Sequence, residues 1–435
     1  MYSPTQPWNL PDPAECWQWS ETAIRSWQLQ RLNQQFKLIL PHNRFYRNKL
    51  ACENLQLAHL DDLQGLPFTT KSELVQSASE QTDQLSTHHT FAAINYSRVH
   101  RTSGTTGRPL MICDTLTDWN WWSSTWQHVL QAAGVDSSDR VFLAFSFGPF
   151  IGFWSAHSAC VDRGAMVIPG GGLSSLARLD FISQISATTI CCTPSYALHL
   201  AEVARNESID LRRNAVNKII VAGEAGGSLL AVRQQIETAW GASVIDHSGA
   251  TEIGPWGFGW PDRPGLHIIE TSFIAEFLPM AGPAPQPMDG DWRELVLTSL
   301  GRIGAPVIRY RTGDIVRVHS KANADAENCR FAWLPDGVIG RVDNMVTVRG
   351  VNVFPSSVEE IVRQLGGIQE YRVYVDRVGE LDQLTLEVEA SEAIIGELQK
   401  LFSIHLGLRI PVRQASAGSL PRSEAKSVRW IDRRQ

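Results

Sequence analysis

The sequence lacks any uninterrupted apolar run of the length that spans a bilayer, which is about 20 residues. The opening stretch Met1–Pro7 has neither a basic start nor an apolar core, so it does not show the pattern of a secretory signal. From these absences we expect a protein without membrane contact and with a cytoplasmic location.

Paired cysteines are also missing. The seven cysteines are odd in number and irregularly spaced, and no Cys-x-x-Cys pair occurs. This pattern favours reduced thiols over a disulfide framework, and it offers no ligand set for a structural zinc ion. We therefore expect no zinc in the purified protein.

An excess of basic residues is absent as well. The 39 Lys and Arg residues and the 45 Asp and Glu residues give a formal net charge of -6, which disfavours nucleic acid as a partner. The 43% hydrophobic and 19% charged fractions are typical of a globular protein. A chain of 435 residues is longer than one ordinary core organises, which predicts two or more domains.

One stretch rich in glycine and hydroxyl residues is present at Arg101–Leu110, with the sequence RTSGTTGRPL. Glycine permits a tight turn whose backbone N–H groups approach an anion, and the Ser and Thr side chains add hydroxyl donors. Arg108 adds a fixed positive charge. The order of a Walker A loop is absent. Taken alone, the stretch fits a polyphosphate-binding loop and an ordinary polar turn equally well.

Short apolar runs alternate with helical patterns through the middle of the chain, which is the βαβ signature of a parallel sheet. Ligands bind at the carboxyl ends of such strands. Gly223–Ala225 and Asp246–Glu252 each follow an apolar run, so we expect both segments at that edge of the sheet.

Farther along, Leu295–Thr298 and Val307–Tyr310 alternate in the manner of antiparallel strands, which predicts a small β subdomain. We predict an α/β fold with a large N-terminal domain, residues 1–342, that contains βαβ-type sheets and this subdomain. A small, mobile α+β cap, residues 343–435, completes the predicted architecture.

Several motifs follow one another in a fixed order: DHSGATE at Asp246–Glu252, YRTGD at Tyr310–Asp314, GRVDN at Gly340–Asn344, and Lys426 near the end. Their order and spacing resemble the adenylate-forming superfamily of acyl-CoA synthetases, luciferases and peptide-synthetase adenylation domains. The phrases LPFTTK, TPSYA and RGVNVFP look most similar to phenylacetate–CoA ligases. The resemblance extends from about Trp27 to Arg434.

This resemblance implies that an acid is activated by ATP before it meets its acceptor, so catalysis requires positioning and charge neutralisation. The β- and γ-phosphates would be held by Ser103, Gly104, Thr105, Thr106 and Gly107. The adenine end of the site would be lined by Gly223, Glu224, Ala225, Asp246, His247 and Ser248.

The remaining implied roles concern the reacting groups. Thr251 would contact the α-phosphate, and Glu252 would hold Mg²⁺, a cation that prefers carboxylate and phosphate oxygens. Asp314 would accept both ribose hydroxyls with Arg341 nearby. Lys426 would bridge the carboxylate and the α-phosphate during adenylation, and Asp343 would be the hinge of the cap.

Three departures from the family pattern are visible. The aromatic residue that usually precedes the glycine of the DHSGATE motif is Ser248 here, which leaves the stacking on adenine open, with the neighbouring His247 as the candidate to replace it. Arg108 stands where a lysine often follows the phosphate loop. Some relatives hold zinc with cysteines that lie shortly before the Gly-Leu-His phrase and after the Thr-Gly-Asp phrase. Here no cysteine stands just before Gly265–His267, and Cys329 is the only cysteine after Asp314.

The acid pocket is inferred from loop position to involve Phe147, Phe150, His157 and Trp256. Aromatic walls suit an aryl acid, and core packing explains each of these side chains equally well. The resulting hypothesis is an acyl- or aryl-CoA ligase with ATP, an aromatic carboxylic acid and coenzyme A as partners and with a possible homodimer. Transfer to an amine or a carrier-protein thiol is the alternative, and a nucleotide-binding relative without turnover is a third.

Overall fold

The structure is a computed structural model that describes residues 10–79, 85–102, 109–145, 147–280, 292–318, 329–348, 351–378, 381–422 and 428–434. The helices are α1 (Pro13–Cys16), α2 (Glu21–Ile39), α3 (Arg44–Leu50), α4 (Lys71–Ser79), α5 (Leu116–Ala132), α6 (Ile151–Asp162), α7 (Ser175–Gln184), α8 (Pro194–Asn206), α9 (Leu230–Trp240), α10 (Pro355–Gln364) and α11 (Glu392–Leu406).

The strands before the cap are β1 (Tyr96–Arg101), β2 (Met111–Thr115), β3 (Arg140–Leu143), β4 (Met166–Pro169), β5 (Thr189–Cys192), β6 (Lys218–Ala222), β7 (Ser243–Ala250), β8 (Gly254–Trp260), β9 (Arg263–Ile268), β10 (Phe273–Pro279), β11 (Trp292–Ser299), β12 (Tyr310–Arg317), β13 (Trp333–Leu334) and β14 (Gly340–Arg341). Those of the cap are β15 (Val346–Val348), β16 (Val351–Val353), β17 (Tyr371–Val378), β18 (Leu381–Val388), β19 (Val412–Gln414) and β20 (Trp430–Asp432).

Helix starts follow local capping rules. The Thr115 hydroxyl accepts the Asp118 N–H at 3.1 Å, and the Asp118 carboxylate accepts the Thr115 N–H at 2.8 Å, so the start of α5 is a reciprocal capping box. Helix α8 begins with Pro194 at its first turn after Thr193, whose hydroxyl accepts the Tyr196 N–H. These caps fix where α5 begins after β2 and where α8 begins after β5.

The central sheet has eight strands in the order β13-β9-β8-β7-β6-β5-β3-β4. Strands β4, β3, β5, β6 and β7 pair in parallel, and β8, β9 and β13 continue the sheet with antiparallel pairing. The parallel half confirms the βαβ prediction, and its helices bury the main hydrophobic core against the sheet.

The small β subdomain is the four-stranded antiparallel sheet β10-β11-β12-β14. Leu295–Thr298 lies inside β11 as expected, whereas the predicted strand at Val307–Tyr310 was wrong except for its last residue. Arg309 has a positive φ of 48°, which interrupts extended backbone, and its guanidinium pairs with Glu276 at 2.7 Å.

The C-terminal region combines the β15–β16 hairpin, helices α10 and α11, and the four-stranded sheet β19-β18-β17-β20. It buries a hydrophobic core of its own, drawn from residues 346 to 410. The predicted α/β class, with a large sheet-containing domain and a smaller α+β unit, is confirmed. The boundary at residues 342 and 343, and the mobility of the cap, stay predictions. Within the described ranges, no helix is long and apolar enough to cross a membrane.

Candidate active site

The described ends of the predicted phosphate loop continue a two-stranded hairpin. Strands β1 and β2 pair so that Arg101 lies opposite Met111. Beyond them, the Thr102 N–H donates to the Leu110 carbonyl at 3.0 Å, and the Thr102 hydroxyl accepts the Leu110 N–H at 2.9 Å. Ser103, Gly104, Thr105, Thr106, Gly107 and Arg108 lie outside the described residues, as does Lys426. The hydrogen bonds between Thr102 and Leu110 therefore hold the two described ends of the loop together.

Three of the charged residues predicted from the motifs converge near Tyr310. Asp314 on β12 pairs in register with Arg341 on β14, and the Arg341 Nη1 lies 3.3 Å from the Asp314 Oδ1. The Tyr310 hydroxyl is buried, which raises its pKa, and the nearby Glu252 and Asp314 carboxylates raise it further, with Arg341 acting in the opposite direction. Glu252, Asp314 and Arg341 thus form one polar cluster.

Lys71 completes this cluster, and no role was assigned to it from the sequence. Its Nζ lies 3.0 Å from the Glu252 Oε1, and the Glu252 side chain is only 7% exposed. The lysine stands at the first position of α4, next to the Thr70–Glu73 cap. The phrase LPFTTK resembles the family pattern, but only the tertiary placement of α4 reveals the ion pair.

The Asp314 carboxyl group lies in a buried environment that disfavours its charged form. Burial raises its pKa to about 6, while Arg341 lowers it. The turn before it needs Gly313, which has a φ of 75°, and a Cβ there would lie 3.2 Å from the Arg341 Nη2. The charged form of Asp314 is therefore maintained at neutral pH at a cost in stability.

We expect Asp314→Asn to raise the melting temperature at pH 7.5 by about 2 °C, which corresponds to a free energy on the order of 1 kcal/mol. A folded pKa of about 6, above the ordinary value of 3.8, stabilises the fold fully below that ordinary value and loses this contribution as pH rises through 6. The gain should therefore vanish near pH 4. An equal change in melting temperature at both pH values would contradict this explanation.

The predicted hinge residue is tied to the same cluster. The Arg341 Nε donates to the Asp343 Oδ1 at 2.9 Å, and the Arg341 Nη1 donates to the Thr312 carbonyl at 3.0 Å. Asp343 lies in the single helical turn Val342–Asn344, directly after β14. One guanidinium therefore connects Asp314, the β12 backbone and Asp343.

The backbone carbonyl of Thr251 is held by a buried arginine side chain. The Arg302 Nη1 donates to the Thr251 carbonyl at 2.7 Å, and the Arg302 Nη2 lies 2.8 Å from the Asp114 Oδ1 on β2. Both charged side chains are fully buried, and although burial opposes it, Arg302 keeps the pKa of Asp114 below its ordinary value. Arg302 thus links the strand after the phosphate loop to the Thr251–Glu252 segment.

The adenine-side prediction needs correction at Asp246 and His247. The segment Asp246–Ala250 does not follow a strand but continues β7. Asp246 is buried and accepts the Ser228 hydroxyl, and burial raises its pKa to about 6. The Asp246 carboxylate therefore anchors the loop before α9 to β7.

The His247 ring points into the core, which is against the prediction that it stacks on adenine. Its ring centroid lies 4.3 Å from that of Trp126, and its Nδ1 lies 2.7 Å from the Gly257 carbonyl oxygen. Burial lowers the pKa of His247 to about 4, so the ring is neutral and donates to Gly257. Ser248, the next residue of the strand, points to the opposite face and is partly exposed.

Gly223–Ala225 does follow its strand, β6, as predicted. Gly223 has a φ of 93°, and the Glu224 Oε1 accepts the Ser195 N–H at 2.9 Å in the first turn of α8. A carboxylate at this end of a helix is favoured by the helix dipole. The Glu224 side chain thereby fixes the segment at the carboxyl end of the parallel strands.

Two of the four predicted acid-pocket residues lie together. The Phe147 ring contacts His157 with a centroid distance of 6.4 Å and Trp154 with 4.9 Å. Phe150 is 43% exposed beside them, at the start of α6. Trp256 is 1% exposed within β8 and belongs to the main core, against which Phe147 also packs. Trp154 was not predicted, although it lies one helical turn before His157.

Comparison with known proteins agrees with this geometry. Residues 39–271 match the family described as AMP-binding enzyme, and residues 350–434 match the AMP-binding enzyme C-terminal domain. The chain is 30% identical to a phenylacetate-coenzyme A ligase of Pseudomonas putida over 95% of both chains. It is also 30% identical to the Escherichia coli (strain K12) phenylacetate-coenzyme A ligase over 94% of this chain and 95% of that protein.

The fold is similar to the crystal structure of 2-hydroxyisobutyryl-CoA ligase in its postadenylation state, with a TM-score of 0.87 and 26% identity over 100% of this chain and 95% of that one. The same ligase in its thioesterification state gives a TM-score of 0.70. The resemblance inferred from the motifs is confirmed, and the chain belongs to the AMP-binding enzyme family.

Proposed function

We propose that this protein uses ATP to convert an aromatic carboxylic acid to an acyl-adenylate and then transfers the acyl group to coenzyme A. The observation that carries this proposal is the cluster of Glu252, Asp314 and Arg341, with the phosphate-loop hairpin joined to Thr251 through Arg302. Relatives at 30% identity that share nearly the full length of this chain are coenzyme A ligases, which favours coenzyme A over an amine or a carrier-protein thiol.

In the first half-reaction, a carboxylate oxygen attacks the α-phosphorus of ATP, and the bond to pyrophosphate breaks. Asp314 would accept the ribose hydroxyls, Thr251 would orient the α-phosphate, and Lys426 would neutralise the charge that develops between carboxylate and phosphate. In the second half-reaction, the coenzyme A thiolate attacks the acyl carbon, and AMP leaves. Each step therefore requires charge neutralisation at fixed positions rather than a covalent enzyme intermediate.

Glu252 fits a Mg²⁺ ion by its chemistry, because it supplies a carboxylate oxygen, the donor that this cation prefers. Bound there, the ion would neutralise phosphate charge. Lys71 supplies a positive charge to the same carboxylate in the structure. We propose that the lysine holds the Glu252 side chain in place before nucleotide arrives.

An aromatic acid is favoured by the cluster of Phe147, Trp154 and His157 at the start of α6. Edge-to-face ring contacts of this kind suit an aryl side chain of the acid. A homodimer and a cytoplasmic location stay predictions.

The function is tested by pyrophosphate release over a panel of aryl and short aliphatic acids, with and without coenzyme A. We expect phenylacetate-like acids to give the fastest release, with sustained turnover only when coenzyme A is present. Sustained turnover with an amine but not with coenzyme A would favour the amide-forming alternative. Binding of ATP and acid without pyrophosphate release would favour a relative without turnover.

We expect purified protein to contain no stoichiometric zinc and to lose activity with EDTA only through removal of Mg²⁺. Within the described part of the chain, no group of three or more His, Cys, Asp or Glu side chains is arranged to hold a metal ion. His267 bonds through Nδ1 to the Phe331 carbonyl at 3.0 Å and lies among aromatic rings. Mass spectrometry of metal content tests this, and near-equimolar zinc, or activity restored by zinc but not by magnesium, would overturn it.

A further inference from the structure

The cap contacts the large domain through an arginine that lies shortly before Lys426. The Arg422 Nη2 donates to the Glu202 Oε1 on α8 at 3.0 Å. The same guanidinium donates to both carboxylate oxygens of Glu389, at 2.7 and 2.8 Å. The side chains of Arg422 and Glu202 are 17% and 25% exposed, so the ion pair is partly shielded from water.

The two partners of Arg422 differ in what happens when the cap moves. Glu389 lies just after β18, inside the cap, so its bonds to Arg422 move with the cap as a unit. Glu202 belongs to α8 of the large domain, so its bond to Arg422 exists only in the described orientation. The contact with Glu202 therefore depends on domain orientation, and the contact with Glu389 does not.

Glu202 has a second neighbour besides Arg422, a histidine on the same helix. The His199 Nδ1 lies 3.8 Å from the Glu202 Oε2, one helical turn away. The neighbouring His199 ring, together with Arg422, lowers the pKa of Glu202 to about 2 although burial opposes it. The carboxylate is thus charged throughout the neutral range.

Two other polar contacts between the cap and the large domain lie on a different helix pair. The Glu360 Oε1 on α10 accepts the Ala231 N–H at 3.2 Å, and the Gln235 Nε2 on α9 donates to the Arg363 carbonyl at 2.6 Å. These contacts hold α10 against α9. Arg422 instead makes its contact with α8 and lies four residues before Lys426 in the sequence.

We propose that Glu202 is a positioning residue for the first half-reaction, because it holds Arg422 and, through Arg422, the cap in the adenylating orientation. This inference rests on the proposed function and on the proposed role of Lys426. It agrees with the higher TM-score against the postadenylation state, 0.87, than against the thioesterification state, 0.70. Because the Glu202 contact must break before the cap rotates, Glu202 favours one half-reaction over the other.

The test compares Glu202→Gln with Glu207→Gln, a matched change at the exposed end of the same helix. Both half-reactions are measured separately, using the acid that the wild-type protein adenylates fastest and, for the second step, its chemically prepared acyl-adenylate with coenzyme A. We expect Glu202→Gln to slow adenylation about fivefold, as for a partly buried charged hydrogen bond. The transfer step should be unchanged or faster, and Glu207→Gln should resemble wild type.

A double-mutant cycle makes the assignment specific. Glu202→Gln should slow adenylation in the wild-type background and have no further effect beside Arg422→Met, since the two changes remove the same contact. Equal losses in both half-reactions, or full additivity with Arg422→Met, would overturn the positioning role.

Failure of the proposed function is recognised separately. It would appear as wild-type protein that releases no pyrophosphate with any acid of the panel. In that case, small-angle X-ray scattering still decides whether Glu202 holds the cap. A larger radius of gyration for Glu202→Gln than for Glu207→Gln would support the contact, and identical scattering would overturn the proposal.

Discussion

Replacing Lys426 with alanine is expected to slow adenylation by about 100- to 1000-fold, the cost of removing one charge-stabilising contact from a transition state. A lysine at this point would bridge two anions, the acid and the α-phosphate, that otherwise repel each other as they approach. The second half-reaction, started from a supplied acyl-adenylate, should remain within about threefold of wild type, because the α-phosphate contact no longer limits the rate.

The described residues on both sides of Lys426 support this role by anchoring its segment to the cap. Arg422 is bound by Glu389 before it, and after it the Arg429 Nε donates to Glu370 at 2.7 Å and the Arg429 Nη1 to Glu359 at 3.1 Å. A short segment with two fixed ends loses little conformational entropy when its lysine reaches the substrate.

Lys400→Ala, at an exposed lysine of α11, is the matched control for Lys426→Ala. Each variant is assayed by pyrophosphate release and by acyl transfer, and melting temperatures are compared. A loss of the same size in both half-reactions would refute the assignment of Lys426 to adenylation and would indicate a folding defect.

Motif order located the charged cluster because each of its members stands in a strand or in the turn that follows one. Glu252 follows β7, Asp314 lies in β12, and Arg341 in β14, so a local sequence pattern fixes each position relative to a sheet edge. The sheet pairing then brings Asp314 and Arg341 together in register. This part of the site could be predicted because it depends on local structure and on one family resemblance.

His247 and Asp246 were misjudged because the end of β7 depends on a partner strand. Glycines of β8 and the turn before it allow this partner to approach closely, since a Cβ at Gly259 would lie 3.1 Å from the Asp246 N and O atoms. The strand therefore runs on to Ala250, and alternation turns the His247 ring to the core face. An apolar run in the sequence ends earlier than the hydrogen-bonded strand.

Lys71 and Arg302 could not be assigned from the sequence for a different reason. Each has its partner far along the chain: Lys71 pairs with Glu252, and Arg302 with Asp114. A lone lysine or arginine in a sequence is most often a solvated surface residue. Only the packing of α4 and β2 against the site distinguishes these two from ordinary surface charges.

The second large effect is expected at the predicted hinge residue, Asp343. Asp343→Pro is expected to leave adenylation within about threefold of wild type and to slow acyl transfer by about 100-fold, because a locked hinge prevents the rotation that the second step requires. One lysine and one coenzyme A thiol cannot occupy the space beside the acyl carbon together, so we expect the cap to move between steps. Proline fixes φ near one value and thereby removes the freedom that a hinge needs.

The structure gives Asp343→Pro a matched control. Asp343 accepts hydrogen bonds from Arg341 at 2.9 and 3.2 Å, and both alanine and proline remove them. Asp343→Ala therefore isolates the loss of the ion pair, which is largely exposed and should cost less than about 1 kcal/mol. The difference between the two variants reports the backbone restriction alone.

Proline also disfavours helical backbone at the residue before it, here Val342 in the turn Val342–Asn344. Melting temperatures of both variants must therefore match to within a few degrees before their rates are compared. With that condition met, slow transfer in Asp343→Pro and fast transfer in Asp343→Ala would place the hinge at this residue, because only the proline limits φ. If Asp343→Pro performed both half-reactions at wild-type rates, the rotation would occur at another residue, and the cap would not begin at residue 343.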